Sequence, residues 1–248
     1  MSLNDGDNDL MHQLCGGYCV TLQTYRRGAD PELFAWYHGM YGQEDARKLA
    51  NLSRERYPAR CDPLDDPLVL CLSHKKRMSV NARQNERLKP PNALFLEWNG
   101  EDLCGTTMQP QSMHVWIGME LVGCPRGSGM QLTVQGVIYV VTAITANAIE
   151  LQMRPEYCRG EDDDRTSVTL ANACKLLRLC HAQCYYTVQG RTVRDRHILL
   201  LDTGHPYFSV RALIVGLSRA THGQYLHVGD DEAEALFCHD RVVRQRRR

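Results

Sequence analysis

Basic side chains that could contact phosphate are grouped on one predicted helix. Between Lys75 and Lys89 the sequence holds six lysines or arginines and a single acid, Glu86, which gives this stretch a local charge of +5. Such a helix face either lies in solvent or contacts the phosphates of a nucleic acid, and the sequence leaves both interpretations open. The whole chain has 29 basic and 29 acidic residues, so any nucleic-acid contact must come from a local patch.

Hydrolysis of a nucleotide by this chain alone is not predicted. A phosphate-binding loop ends in Gly-Lys-Ser or Gly-Lys-Thr, and no lysine of this sequence follows a glycine. The glycine-rich segment 123–130 lies between predicted strands and is typical of a hairpin turn. The apolar run that ends at Asp202 is similar to a strand carrying a magnesium-binding acid, but there is no phosphate loop for it to serve.

The cysteines allow two interpretations. Eleven cysteines at uneven spacing indicate free, mostly buried thiols rather than a disulfide framework. The sequence has no Cys-x-x-Cys pair, and we predict that the chain holds no metal ion. A zinc site remains an alternative, formed by the neighbouring residues Cys174, Cys180, His181 and Cys184.

Composition is that of a folded globular chain. The sequence is 43% hydrophobic and 23% charged, which excludes a disordered protein. Its longest apolar run, 137–144, is far shorter than the roughly 20 residues that a membrane span requires. The acidic N-terminus has no signal-peptide pattern. We therefore expect an intracellular location, in the nucleus or the cytoplasm, and no membrane partner.

Alternating helix and strand patterns predict an α/β fold with a β-rich insertion. The continuous apolar run 68–72 is typical of a strand buried on both faces of a parallel sheet, and Ser73 can cap the helix that follows. Asp30 and Pro31 are suited to begin an earlier helix. Short β segments separated by glycines, from 92 to 153, indicate a small antiparallel β-barrel. The predicted helices are 32–40, 44–56, 73–89, 170–179 and 209–220, and the predicted strands are 15–24, 68–72, 93–98, 115–122, 131–133, 137–144, 148–153, 180–184, 198–201 and 225–228.

Two segments near the C-terminus resemble motifs of one enzyme family. VQGRT at 188–192 follows a predicted strand, and VGLSRAT at 215–221 lies in a predicted helix. They resemble motifs V and VI of superfamily 1 helicases of the RecD-like and Pif-type branch. The matching residues are Gln189, Gly190 and Thr192 in the first motif and Ser218, Arg219 and Ala220 in the second.

The resemblance extends over nearly the whole chain, in the same order and spacing. Segment 70–88, which carries Asn81 and Asn85, resembles motif IV, and segment 24–34 resembles a tyrosine-arginine element that follows the first RecA-like domain. The β-rich segment stands where this branch places a small barrel. HPYFS at 205–209 is similar to forms found in helicases of large DNA viruses and mobile elements, which would add a viral replication site to the expected locations.

This resemblance implies the C-terminal half of an ATP-dependent helicase that moves on single-stranded DNA. It implies a parallel RecA-like α/β sheet formed by 67–91 and 159–248, with a small antiparallel β-barrel inserted at 92–158. Residues 1–66 would form a linker and helical segment carrying the tyrosine-arginine element. No segment corresponds to the first RecA-like domain, so ATP and Mg²⁺ would be bound only together with such a domain, in cis or in trans.

The resemblance also implies roles for residues at the nucleotide. Arg219 would be the arginine finger, because an arginine beside the γ-phosphate neutralises charge that develops in phosphoryl transfer. Arg26 would be a second phosphate contact, a role for which Arg27 competes, and Tyr25 would lie against the adenine. The alternative for Arg219 is a structural arginine paired with an acid such as Asp202. Nucleotide contacts are further implied for Gln189 and Gly190.

Single-stranded DNA or RNA is the implied partner of the remaining site residues. Backbone phosphates would be contacted at the start of the basic helix, and bases would stack on exposed aromatic rings of the barrel. For Trp116 and Tyr139, burial in the barrel core is the alternative interpretation. The predicted nucleic-acid contacts are Ser73, His74, Lys75, Lys76, Arg77, Asn81, Thr192 and Trp116.

The sequence departs from the family pattern in motif V. The family usually has a histidine three residues before the glutamine and a threonine two residues further back, where this chain has Tyr186 and Cys184. The alternative function is a helicase-derived module without enzymatic activity, which binds nucleic acid or a protein.

Overall fold

The computed structural model describes residues 28–59, 66–100, 109–124, 132–158, 164–194 and 196–229. The predicted strand 15–24 lies outside these residues. The helices are α1 (Pro31–His38), α2 (Ala46–Arg56), α3 (His74–Leu88), α4 (Leu170–Leu176) and α5 (Val210–Leu217). The strands are β1 (Leu68–Cys71), β2 (Leu94–Leu96), β3 (Met113–Val115), β4 (Glu120–Gly123), β5 (Ile138–Ile144), β6 (Ala148–Met153), β7 (Arg165–Thr169), β8 (Leu177–Leu179), β9 (Ala182–Cys184), β10 (Ile198–Leu200) and β11 (Leu226–Val228).

Four parallel strands form the first sheet, in the order β11-β10-β1-β9. Every residue of β1, β9 and β10 is buried, as expected for short apolar runs in a sheet covered by helices on both faces. Alternate residues of β1 face opposite sides of the sheet. Leu68 and Leu70 pack in the cluster that includes residues of α1 and α5, whereas Val69 packs with Val80 of α3.

Two helices, α1 and α3, begin at the capping residues predicted from the sequence. Asp30 caps α1 by accepting a hydrogen bond from the Leu33 N–H, and Pro31 is the first helical residue. Ser73 caps α3 in the same way, through the Lys76 N–H. Because each side chain satisfies a backbone donor that the first turn leaves open, the start of each helix is determined locally.

The β-rich part consists of a five-stranded antiparallel sheet, β7-β6-β5-β4-β8, and the antiparallel pair β2-β3. An apolar cluster fills it, in which Leu121, Tyr139, Val141, Ile149 and Leu151 are all buried. The predicted fold class is therefore confirmed: a parallel RecA-like α/β sheet with helices, and a small barrel-like antiparallel insertion after α3. Among the described residues, no helix has both the length and the apolar character that crossing a bilayer requires.

The antiparallel sheet continues along the chain beyond the predicted insertion at 92–158. Strands β7 and β8 belong to it, and β8 pairs with β4 through Leu179 opposite Leu121. The predicted helix 170–179 therefore ends at Leu176, because the apolar run after it forms a strand and short apolar runs do not distinguish the two structures.

Two predicted strands differ from those observed. The predicted strand 115–122 is divided between β3 and β4 by a turn in which Gly118 has a φ of +85°. Residues 132 and 133 form a bend rather than a strand, and Gln131 lies outside the described residues. The left-handed backbone at Gly118 cannot continue the pleated pattern of a strand, so the predicted strand 115–122 is interrupted there.

Candidate nucleic-acid interface

A cleft opens at the carboxyl edge of the parallel sheet, between β1 and β10. The chain leaves β1 towards β9 and leaves β10 towards β11, so the connections diverge at this point. Open α/β sheets bind ligands in the crevice that such a divergence creates. The cleft has a volume of about 750 Å³, and the residues that line it include Ser73, Lys76, Asp202, His205 and Tyr207.

Asp202 joins the two sides of this cleft. One carboxylate oxygen accepts a hydrogen bond from the Leu72 N–H at 2.7 Å, and the other accepts one from the Lys76 ammonium group. Its φ of 61° is a left-handed conformation, which aspartate tolerates better than most residues. The side chain therefore stabilises the fold at the ends of β1 and β10, with both oxygens already bonded.

The predicted nucleic-acid contacts at the start of α3 are partly exposed. Ser73 and Lys75 lie at the surface, and His74 is half-buried. Lys76 lines the cleft, with 20% of its side chain exposed. The first turn of α3 thus presents basic and hydroxyl groups to solvent where the helix dipole already favours an anion.

Arg77 and Asn81, which were predicted to contact nucleic acid, lie inside the fold. Arg77 is 3% exposed, and burial lowers the pKa of its guanidinium. The Asn81 amide nitrogen donates to the carbonyl oxygens of Leu179 and Ala182, and the amide oxygen accepts from the Ala182 N–H at 2.7 Å. This helix face attaches α3 to the strands beneath it.

Tyr186 and His74 form a pair at the end of β9. The tyrosine hydroxyl lies 3.5 Å from His74 Nδ1, and the ring centroids are 5.4 Å apart. Burial, together with the charge of Arg77, lowers the pKa of His74, so the imidazole is neutral near pH 7. Tyr186 was noted from the sequence only as a departure from the family histidine, and its position beside α3 is a finding of the structure.

The loop after β9 presents Gln189 and Gly190 at the surface, while Thr192 is half-buried. Gly190 has a φ of +82°, a conformation in which glycine is favoured. Arg219 fastens both ends of this turn, because its guanidinium donates to the carbonyl oxygens of Val188, at 3.2 Å, and Arg191, at 2.6 Å. The segments that resemble motifs V and VI are therefore in direct contact.

Arg219, the predicted arginine finger, is turned into the fold in this structure. It is 5% exposed, and it also donates to the Val215 carbonyl oxygen at 3.0 Å. Asp202, the acid considered as its partner from the sequence, is paired with Lys76. In this position the guanidinium supplies hydrogen-bond donors to backbone carbonyl oxygens that would otherwise lack a partner.

Tyr25, Arg26 and Arg27 lie outside the described residues, but the chain just after them packs against the segment that follows Arg219. The Ala29 N–H donates to the Thr221 carbonyl oxygen at 3.2 Å, and Asp30 accepts from the Gly223 N–H at 2.8 Å. A Cβ atom added to Gly28 would lie 2.4 Å from the same Thr221 oxygen. The fold therefore brings the end of the tyrosine-arginine element next to the segment that follows Arg219.

Trp116 is half-buried at the junction between the insertion and the parallel sheet. Its ring stacks over His181 at a centroid distance of 6.5 Å, and it lines a second cleft together with Arg194 and Arg196. Tyr139 is 2% exposed, in agreement with burial in the insertion core. Only part of the Trp116 indole is therefore accessible to a base.

Two residues that line the cleft, His205 and Tyr207, were not assigned a role from the sequence. Tyr207 is 86% exposed, and its backbone N–H donates to His205 Nδ1 at 3.1 Å. The signal that could have identified them is the HPYFS segment, in which an aromatic residue follows a proline a few residues after an apolar strand and an acid. Such a loop keeps its tyrosine near the strand end and in solvent.

The cysteines considered as zinc ligands have separate partners. Cys180 contacts the Glu120 carbonyl oxygen, His181 contacts the Asp66 carboxylate, and Cys184 lies beside His74. Within the part of the chain that the structure describes, no three histidine, cysteine, aspartate or glutamate side chains are arranged to hold a metal ion.

Solved structures of Pif1 helicases have a similar fold. Bacteroides Pif1 bound to single-stranded DNA aligns with a TM-score of 0.56 and 14% identity, over 91% of this chain and 55% of that protein. Bacteroides Pif1 in complex with ADP-AlF3 and single-stranded DNA aligns with a TM-score of 0.55 and 14% identity, over 98% of this chain and 62% of that protein. The Candida albicans Pif1 helicase aligns with a TM-score of 0.56 and 12% identity, over 90% of this chain and 58% of that protein.

At these identities the similarity is one of fold. No family model matches the chain, and no curated protein matches it. The chain spans 55 to 62% of the length of the three Pif1 proteins. It therefore has the fold of a large part of a Pif1 helicase.

Proposed function

We propose that this chain is the second RecA-like domain, with its β insertion, of an ATP-dependent helicase or translocase acting on single-stranded DNA. The supporting observation is the contact between the two motif-like segments, in which Arg219 binds the carbonyl oxygens of Val188 and Arg191. The Pif1 proteins of similar fold include two whose structures contain single-stranded DNA. The proposed location is the nucleus, the cytoplasm or a viral replication site.

Nucleic acid would be held at the carboxyl edge of the parallel sheet. Ser73 and Lys75 are exposed at the start of α3, and Lys76 lines the adjoining cleft. Phosphate oxygens placed there would meet an ammonium group, a hydroxyl group and the positive end of a helix dipole. Thr192 and the accessible part of Trp116 are proposed as further contacts.

The proposed role of Arg219 in ATP hydrolysis requires a rearrangement. To reach a phosphate held by a first RecA-like domain, its guanidinium must exchange the carbonyl oxygens of Val188 and Arg191 for phosphate oxygens. That exchange would release the turn at 189–190 and so couple the nucleotide state to the nucleic-acid side of the domain. ATP with Mg²⁺ supplies the phosphoryl group whose transfer drives movement. Arg26, Tyr25, Gln189 and Gly190 are the other contacts proposed for this chain.

Binding of a fluorescent poly-dT oligonucleotide to the purified chain, measured by anisotropy at several salt concentrations, tests the proposal. We expect affinity to fall steeply as salt rises, because neutralised phosphates release counterions. Lys75→Ala should weaken binding, whereas Lys175→Ala, which removes an exposed lysine on α4, should not. Absence of binding at low salt would reject the proposal.

We expect no ATP hydrolysis by the chain alone. Hydrolysis that Arg219→Ala abolishes would reveal a nucleotide site that the proposal does not include.

The internal position of Arg219 favours the second candidate, a helicase-derived module without enzymatic activity. To separate the two, ATP hydrolysis by a purified first RecA-like domain of a Pif1 helicase is measured with and without this chain. Stimulation supports the motor, and an unchanged rate supports the module.

A further inference from the structure

Two exposed tyrosines stand on opposite sides of the start of α3. Tyr186 follows β9 and Tyr207 follows β10, and these strands flank β1, from which the chain enters α3. Tyr186 is 50% exposed and Tyr207 is 86% exposed. Since neighbouring strands are about 4.8 Å apart, the two strand ends are separated by about 10 Å across the sheet edge.

A histidine orients each tyrosine without covering it. The Tyr186 ring meets His74 edge to face, at 5.4 Å between centroids, and the Tyr207 ring lies 5.5 Å from His205. His205 Nδ1 accepts the Tyr207 backbone N–H, which holds the imidazole beside the tyrosine ring. Each pair therefore combines a flat apolar surface with a polar edge.

Position distinguishes these tyrosines from other exposed rings. Tyr41 is 63% exposed and packs on His38 in the turn after α1, so an exposed tyrosine beside a histidine does not by itself indicate binding. The start of α3, however, follows β1 and so lies between the ends of β9 and β10, where Ser73 and Lys75 are exposed beside the cleft that Lys76 and Tyr207 line. The edge of the parallel sheet therefore presents an aromatic ring at each side, Tyr186 and Tyr207, with the basic start of α3 between the two strand ends.

This order matches the chemistry of a single nucleic-acid strand. A strand without a pairing partner exposes flat bases at intervals, and its charged phosphates lie between them. Bases stack on aromatic side chains in a way that tolerates any sequence, while lysine and helix N-termini contact the phosphates. A double helix would hide the base faces inside its own stack, so exposed rings at this spacing suit an unpaired strand.

We infer that Tyr186 and Tyr207 are two stacking platforms for bases of one single-stranded nucleic acid, whose intervening phosphates lie over the start of α3. The inference rests on the proposed nucleic-acid function and adds the site where bases are held. It assigns recognition of unpaired bases to the loops after β9 and β10, outside the residues first predicted to bind nucleic acid.

The test compares poly-dT with an otherwise identical oligonucleotide that lacks its bases. Tyr186→Leu and Tyr207→Leu keep an apolar side chain but remove the ring, and Tyr41→Leu is the matched control. We expect each of the first two variants to weaken poly-dT binding about tenfold, with little effect on the abasic oligonucleotide. The control should bind both probes as the unmodified chain does, and thermal denaturation of every variant verifies folding.

Photo-crosslinking of the unmodified chain gives a measurement that does not depend on a variant. An oligonucleotide containing 5-iododeoxyuridine should crosslink to Tyr186 or Tyr207, as mapped by mass spectrometry. Crosslinks confined to Trp116 would overturn the inference. Equal, salt-dependent binding of both probes by the chain and by its tyrosine variants would overturn it too, while leaving the proposed function intact. Failure to bind either probe at low salt would instead reject the proposed function, and the inference with it.

Discussion

The carboxylate of Asp30 accepts a hydrogen bond from the backbone N–H of Gly223 at 2.8 Å, across 193 residues of sequence. The same side chain caps α1 through the Leu33 N–H at 3.0 Å. One carboxylate therefore begins a helix and also fixes the start of that helix against the segment that follows Arg219.

Replacing Asp30 by alanine should destabilise the protein more than removal of an ordinary helix cap. Loss of a cap costs about 1 kcal/mol. A backbone N–H left without a partner adds about 1–3 kcal/mol, so urea unfolding should show a total loss of about 2–4 kcal/mol. Asp45→Ala is the control, because Asp45 caps α2 only through the exposed Lys48 N–H. Equal losses in the two variants would show that the Gly223 contact contributes nothing.

The charge of Asp30 should make part of this stability depend on pH. Burial alone would raise its pKa, but hydrogen bonds from the Leu33 and Gly223 N–H groups and the charge of His222 lower it below the ordinary value of 3.8. A lowered pKa means that the folded state binds the proton less readily than the unfolded state. The contribution is therefore complete above the ordinary pKa and is lost as pH falls through the lowered one.

Asp30→Asn removes that charge while keeping a capping oxygen. The difference in the free energy of unfolding between the native chain and this variant should be largest near pH 7 and should shrink as pH falls below 3.8 and the carboxylate becomes protonated. Urea unfolding at pH 7 and at several pH values below 3.8 measures it. A difference that stays constant with pH would mean that the negative charge of Asp30 does not contribute to stability.

Arg219 should contribute to stability as well as to function. Its guanidinium donates to the carbonyl oxygens of Val188, Arg191 and Val215, so Arg219→Ala should leave buried acceptors without donors and cost about 2–4 kcal/mol. Arg219→Lys should recover only part of this loss, because an ammonium group does not reproduce the planar fork. Urea unfolding measures both, and hydrogen exchange should become faster at 189–192. Arg211→Ala, an exposed change on α5, is the control. Unchanged stability in Arg219→Ala would indicate that the guanidinium normally faces outward.

Local signals in the sequence were sufficient to predict much of the fold. Asp30 and Ser73 were predicted as caps because a cap depends only on the next three residues. The buried strands were predicted because apolar runs of this length have few other uses, although Leu177–Leu179 was assigned to a helix. Partners in the sheet could not be predicted in this way, since pairing between distant strands leaves no local pattern.

The orientation of α3 could not be predicted from its apolar residues. The structure buries a mostly polar stripe of this helix, formed by Arg77, Val80, Asn81, Gln84 and Asn85. Asn85 donates to the His114 carbonyl oxygen and accepts the His114 N–H, as Asn81 does with Ala182. These amides are buried because they pair with strand backbone, and hydrophobicity patterns contain no information on such pairing.

The Lys76–Asp202 ion pair should be coupled more strongly than a surface pair. Their side chains are 20% and 8% exposed, whereas the control pair Lys89–Glu86 has 34% and 62% exposure. A double-mutant cycle of Lys76→Met and Asp202→Asn should give a coupling energy of about 1 kcal/mol or more, because less water screens the charges. The equivalent cycle on Lys89 and Glu86 should give a smaller coupling energy, because water screens these exposed charges. Equal coupling in the two cycles would show that burial at the cleft does not strengthen the pair.

The same pair should also control how strongly the cleft attracts phosphate. Asp202→Asn keeps an oxygen for the Leu72 N–H and a residue type that tolerates a left-handed φ, but it removes the negative charge that neutralises Lys76. Poly-dT binding, measured by anisotropy, should therefore become several-fold tighter and more dependent on salt, because the ammonium group is free to pair with phosphate. Lys76→Met should have the opposite effect. Weaker binding by Asp202→Asn, with folding intact, would mean that the carboxylate itself takes part in binding, for instance through a divalent cation, and would remove Lys76 from the proposed interface.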